Sequence, residues 1–249
     1  MLILSGTGQF ARATVEVTGS DVFGVQLVMR PAMSFTGQLV FRGQTMAPSV
    51  ASRRVPLRSL SPPGAGLVPS VLPTNAAGMF TVSSVSPGRY VLGGPLALGP
   101  TSDTMTWALE SVIVDGRDVT DVPLEITESV PKDVAVTYTD RFQELSGRLT
   151  RSTGAPVSEH TIIVFPEDKA YWVTGSRRIV TTRPGTDGRF TLSGQGPTTL
   201  PPGKYLLAAV TDIDRDEQFD PSFLSALMPA AVSITLQPGE KKVQDLVIK

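Results

Sequence analysis

Cysteine is absent from the 249 residues, and histidine occurs once, at His160. Without thiols there are no disulfides, no thiolate metal sites and no cysteine nucleophile. One histidine with no cysteine also falls short of the usual zinc ligand set. Charged residues make up only 18% of the chain and balance to a formal net charge of -1, so no field gathers a polyanion, and nucleic acid is not an expected partner. No apolar run approaches the roughly 20 residues of a membrane-spanning helix. The opening Met1-Leu2-Ile3-Leu4-Ser5 has no basic lead and no apolar core behind it, so it does not read as a signal peptide. The expectation is either a cytoplasmic protein or a frame that begins inside a longer secreted precursor.

What the chain has instead is turn formers: 23 glycines and 21 prolines, well above the usual combined share of about 12%. Hydrophobic residues reach 41% but come in short broken runs, a pattern of many short strands joined by turns. The length fits two modest domains, each with a core of its own.

Those two domains are written into the sequence as a repeat. Gly37-Gln38-Leu39-Val40 matches Gly147-Arg148-Leu149-Thr150, and Gly78-Met79-Phe80-Thr81-Val82 matches Gly188-Arg189-Phe190-Thr191-Leu192, both 110 positions apart. Pro87-Gly88-Arg89-Tyr90-Val91-Leu92 answers Pro202-Gly203-Lys204-Tyr205-Leu206-Leu207 at 115, with the extra five residues falling in Ser193 to Pro201 as a hairpin-loop insertion. Alternation at Phe80 and Val82, and at Phe190 and Leu192, marks half-buried strands. Pro-Gly before each tyrosine suits a tight turn, and Tyr90 and Tyr205 are expected to bury their rings and return their hydroxyls to nearby backbone.

A second repeat sets Val15 to Val22 beside Val112 to Val119, each followed by an apolar strand, Val25 to Met29 and Val122 to Ile126. Asp115-Gly116 reads as a hairpin turn. Val232 to Leu236 and Val243 to Ile248 close the second module. The expected organisation is therefore residues 1–32 as tail strands of a preceding repeat packed on the next module, 33–130 as a first sandwich module and 131–249 as a second. One short helix is expected near 221–228, with Asp220 as cap, Pro221 in the first turn, Phe223, Leu224 and Leu227 as its apolar stripe, and Pro229 as its stop. Loops are expected at 61–66, 93–102 and 182–188.

The set of a glycine strand, a Gly-x-Phe-Thr strand and a Pro-Gly-Arg/Lys-Tyr turn resembles carboxypeptidase regulatory-like domains. The second module is similar to the long bacterial versions in Arg141 to Leu149, Val164-Phe165-Pro166-Glu167-Asp168, Gly175-Ser176-Arg177-Arg178 and Asp216 to Leu227. The resemblance implies an all-β chain of two tandem transthyretin-like Greek-key β-sandwich modules. It also implies a secreted, periplasmic or outer-membrane-associated place in a longer bacterial precursor. Fold does not carry chemistry with it.

Three candidate sites follow from the residues. Asp212, Asp214, Asp216 and Asp220 imitate the opening of a calcium loop, although Glu217 stands where the glycine belongs and Phe223 where the closing glutamate belongs. Two readings stand: a site for calcium or another divalent cation, or a solvated strand-to-helix loop capped by Asp220. Tyr171 and Trp172, between Lys169 and the Arg177-Arg178 pair, form either an exposed platform for a sugar ring or peptide, or core aromatics; Trp107 poses the same choice. His160, beside Glu159, is either a general base or a polar residue at a strand start, and no Gly-x-Ser-x-Gly elbow accompanies it. Glu159, Glu167, Asp168 and the acids of the 212–220 loop are numerous enough to supply a glycosidase pair, but the sequence places no two of them on opposite sides of a bond.

The expected function is a non-catalytic interaction or structural module that binds a protein or glycan partner. The alternative is a metal-assisted hydrolase of activated esters or phosphoesters, with an ion on the acidic loop activating water.

Overall fold

The glycine of each repeat is explained by what crosses it. In the computed structural model, which describes residues 2–6, 8–13, 15–16, 18–19, 21–61, 66–96, 107–193 and 200–248, Gly37 lies opposite Phe80 and Gly147 opposite Phe190. A Cβ on Gly37 would sit 2.3 Å from the tip of the Phe80 ring. The phenylalanine of Gly-x-Phe-Thr thus fills the space left by the glycine on the neighbouring strand. The turn glycines repeat as well: Gly78 and Gly188 have φ of 80° and 76°, and their carbonyls accept from the Leu39 and Leu149 amides at 2.8 Å.

The chain divides into two compact units, residues 1–102 with 109–139 and residues 140–249 with 103–108. At its start β1 (Leu2–Gly6), β2 (Gln9–Ala13) and β3 (Arg30–Pro31) form a small sheet. The rest of the first unit holds β4 (Met33–Arg42), β5 (Leu57–Ser59), β6 (Ser70–Val71), β7 (Met79–Val85), β8 (Gly88–Leu92), β9 (Ala108–Val114), β10 (Arg117–Asp118), β11 (Leu124–Ile126) and β12 (Val134–Thr139). These make a six-stranded sheet, β10-β9-β12-β4-β7-β6, and a three-stranded one, β11-β8-β5. β4 alternates as the sequence predicts, with Phe35 and Leu39 buried. At the expected hairpin, Asp115 and Gly116 both take positive φ. Asp115 Oδ1 accepts from the Asp133 and Lys132 amides, and these backbone hydrogen bonds hold its carboxyl below the usual range.

Two expectations for this unit need correction. The first module does not end at 130: β12 pairs in parallel with β4, Ala135 opposite Gln38, so the strand closes the first unit instead of opening the second. Nor does Val25 to Met29 form a strand; residues 21–29 are irregular, and Phe23 is 86% and Val28 69% exposed. An alternating segment becomes a strand only where an edge accepts it. Phe10 and Ala11, on β2, are buried.

The second unit contains β13 (Glu144–Arg151), β14 (Thr161–Pro166), β15 (Val180–Thr182), β16 (Arg189–Ser193), β17 (Gly203–Val210), helix α1 (Pro221–Leu227), β18 (Val232–Leu236), β19 (Lys241–Val243) and β20 (Leu246–Ile248). One sheet orders β16-β13-β19 with β20 also on β13; the other orders β15-β14-β17-β18. The closing strands β19 and β20 run parallel to β13 with the same 97-residue spacing that joins β12 to β4, Glu144 opposite Lys241 and Leu149 opposite Leu246. Leu145, Leu149, Phe190 and Leu246 from one sheet meet Ile162, Val164, Tyr205, Leu207 and Ile234 from the other in a common core, which makes this unit a sandwich.

The second sheet is buried on both faces. Along β14, Ile162 and Val164 enter the sandwich core, while Ile163 and Phe165 enter a second cluster with Trp172, Ile179, Leu206, Ala208 and Leu224. This explains the continuous apolar run that the sequence carries there, since a strand covered on both sides has no polar face. The cover comes from Phe223, Leu224 and Leu227 of α1 and from Ile213, Phe219 and Met228 beside it. The helix starts and ends where predicted to within a residue, with Asp220 Oδ1 accepting from the Ser222 amide at 2.7 Å.

The tyrosine hydroxyls bond to backbone four residues upstream, Tyr90 to Ser86 O and Tyr205 to Pro201 O, both at 2.7 Å. Tyr205 also accepts from Arg178 Nη1 at 3.3 Å. Tyr205→Phe should therefore cost about 1–3 kcal/mol by leaving a buried carbonyl without its donor, and more than Tyr90→Phe; denaturant titration of the two variants checks the order. Residues 194–199 of the insertion and most of the loops at 61–66 and 93–102 lie outside the described residues.

Candidate functional site

The acidic loop is the outer skin of the segment that covers the second sheet. Ile213 and Phe219 point its apolar side at the core, and Asp212, Asp214, Asp216 and Asp220 stand exposed between them. Their contacts run to local backbone or to a neighbouring side chain. Asp212 Oδ1 accepts from the Ile213 amide at 3.0 Å, and Glu217 Oε2 takes the Asp214 amide at 2.9 Å. Asp216 has φ of 65° and pairs with Arg215 at 3.8 Å. Asp220 caps α1. Among the described residues no three acidic or imidazole side chains converge as a metal-holding group, so the structure does not bring the four aspartates together as a coordination set. Asp220→Ala should cost about 1 kcal/mol through the lost cap, equally with and without calcium, as thermal melts in both conditions will test.

Trp172 is not an exposed platform. Only 5% of it is accessible; its Nε1 donates to Pro166 O at 2.7 Å, and its ring meets Phe165 edge to face at 5.8 Å. Lys169 Nζ lies 5.1 Å from the same ring and 3.4 Å from Ser225 Oγ, tying the short turn Lys169–Tyr171 to the helix. Tyr171 is half-buried, with the Arg178 guanidinium 4.6 Å over its ring. Arg178 in turn donates to Pro202 O at 3.1 Å. The pair predicted as a basic and aromatic patch thus anchors the 166–179 loop onto the tyrosine corner. Trp107 is buried as well.

His160 sits at the start of β14 with its side chain largely buried. Its Nδ1 is 3.9 Å from Glu159 Oε1 and makes no hydrogen bond. Glu159 pairs with Arg151. Its own amide, that of Ser158 and then the Arg151 and His160 charges hold the Glu159 carboxyl below the usual range. The glutamate is thus stabilised as an anion and is poorly suited to protonate a leaving group near neutral pH.

The sequence missed the second apolar cluster, because it joins residues from 163 to 231 that share no local motif. The one available signal was the unbroken apolar run of β14. Among the described residues no helix is long and apolar enough to cross a membrane.

No family model and no curated protein matches the chain. Similar solved structures include a streptococcal ancillary pilin, with a TM-score of 0.33 and 14% identity over 97% of this chain and 75% of that one. A minor pilin of Streptococcus agalactiae aligns with a TM-score of 0.32 and 10% identity, over 86% and 94%. The TIE protein of Bacillus anthracis aligns with a TM-score of 0.29 and 9% identity over 90% of this chain, which spans 37% of the length of that protein. Likeness at these TM-scores assigns no function to the chain.

Proposed function

We propose that the chain is a tandem pair of carboxypeptidase regulatory-like, transthyretin-like β-sandwich modules. It serves as a non-catalytic interaction or structural part of a larger bacterial secreted or envelope-associated protein, with a protein or glycan partner. One observation carries the reading: the side chains with the most chemical capacity are engaged in holding the sheets. Asp220 caps the helix, Trp172 bonds Pro166 O, Tyr90 and Tyr205 bond backbone, and Arg178 braces the tyrosine corner. Rigid sheets that present variable loops are a common scaffold for recognition.

The test is turnover. The 249-residue chain, stripped of metal and then supplied with calcium, magnesium or zinc, is assayed on chromogenic esters and phosphoesters. The expected result is a rate equal to buffer with each metal. Metal-dependent hydrolysis that disappears in Asp212→Ala/Asp214→Ala would overturn the reading in favour of a hydrolase.

A further inference from the structure

Residues 21–29 hold most of a strand pattern that pairs with no strand among the described residues. At a spacing of 97 residues, Asp21, Val22, Val25 and Leu27 coincide with Asp118, Val119, Val122 and Leu124, and Met29 stands for Ile126. In the first unit that pattern ends in β11, which pairs antiparallel with β8: Leu124 faces Tyr90, Glu125 faces Arg89 and Ile126 faces Gly88. Leu124 and Ile126 are buried by it. In residues 21–29 the same pattern makes no strand, and Val22, Phe23, Val25, Val28 and Met29 are exposed. A group of exposed apolar side chains this close in sequence marks an interaction surface.

The pattern also says what covers it. Both Pro-Gly-Arg/Lys-Tyr strands of this chain are paired on each side, β8 by β11 and β5, β17 by β18 and β14. Neither has an edge to offer. We infer that residues 25–29 are the closing strand of another sandwich module of the same repeat, one whose Pro-Gly-Arg/Lys-Tyr strand lacks a closing strand of its own. The pairing is antiparallel, with Leu27 opposite the tyrosine, Val28 opposite the basic residue and Met29 opposite the glycine. Strand addition of this type takes its affinity from main-chain hydrogen bonds and its register from alternate side chains. The inference rests on reading the chain as tandem modules.

The β8 strand of the first unit is the probe at hand. In the full chain, residues 122–126 are replaced by the sequence of residues 25–29, which requires Pro123→Gln, Glu125→Val and Ile126→Met. A control carries the sequence of residues 24–28 at the same place, one position out of register. A one-residue slip turns every side chain to the opposite face, so the control should melt more than about 10 °C lower, while the in-register graft stays within about 3 °C of the parent. An in-register graft that melts nearer to the control than to the parent would overturn the inference, as would two grafts that melt alike. The readout is folding of one module, so turnover by the chain, which would defeat the non-catalytic reading, leaves this result standing.

Discussion

Gly147→Ala should lower the melting temperature of the second unit by more than about 10 °C, the equivalent of roughly 3 kcal/mol in a domain of this size. The reason is the route of the closing strand. Between β19 and β20 the chain leans into β13: the Gln244 amide donates to Ser146 O at 2.8 Å, and the Asp245 side chain takes the Arg148 amide at 2.8 Å. The carbonyl of Gln244 is left aimed at Gly147, where a Cβ would stand 1.9 Å from its oxygen and 2.9 Å from the tip of Phe190. Backbone cannot rotate aside as a side chain can. Relief requires β19 and β20 to move off β13, which breaks the pairing of Ser146 with Val243 and Leu149 with Leu246 and lifts the buried Leu246 out of the core. At Gly37 the nearest atoms to an added Cβ belong to the Phe80 ring, a side chain and not backbone, so Gly37→Ala should cost less. Gly154→Ala, at φ of 84° with nothing within 4 Å, should cost only the ~1 kcal/mol of a left-handed residue. Calorimetry of the three variants gives the ranking directly, and a Gly147→Ala protein that melts like Gly154→Ala would show that the strand does not approach as described.

That glycine also marks how far the sequence could be read. The repeat itself, the turn glycines, the tyrosine corners and the capped helix are local: each lies within a few residues, so composition and spacing expose it. The all-β class follows from the same signals. The closing strand of the first unit was hidden because β12 shares alternation but no distinctive residue with β19 and β20, and its parallel pairing with β4 spans 97 residues. The role of Trp172 was hidden for a related reason. Its hydrogen bond to Pro166 is local, but the apolar neighbours that bury it, such as Leu206 and Leu224, come from strands and a helix 34 to 52 positions away. In the 212–220 segment Ile213 and Phe219 pack on the second apolar cluster while the four aspartates are exposed, a division that the spacing of the acids alone does not reveal.

Trp172→Ala should therefore destabilise the second unit by about 3–5 kcal/mol, the range for removal of a large buried aromatic. The substitution empties the centre of the outer cluster, removes the edge-to-face contact with Phe165 and strands the Pro166 carbonyl without its donor. The sandwich core on the opposite face of β14 and β17 does not touch this site, so the damage should begin on the covered side. Limited proteolysis should cut the 212–220 loop sooner in the variant than in the parent. Trp172→Phe separates the two contributions, since it keeps a ring against Phe165 but cannot donate; it should recover part of the loss and retain the ~1–3 kcal/mol cost of an unsatisfied buried acceptor. A ligand platform predicts the opposite pattern. There the alanine variant would melt like the parent and lose only binding, and that outcome would return Tyr171 and Trp172 to the surface of the protein as a recognition site.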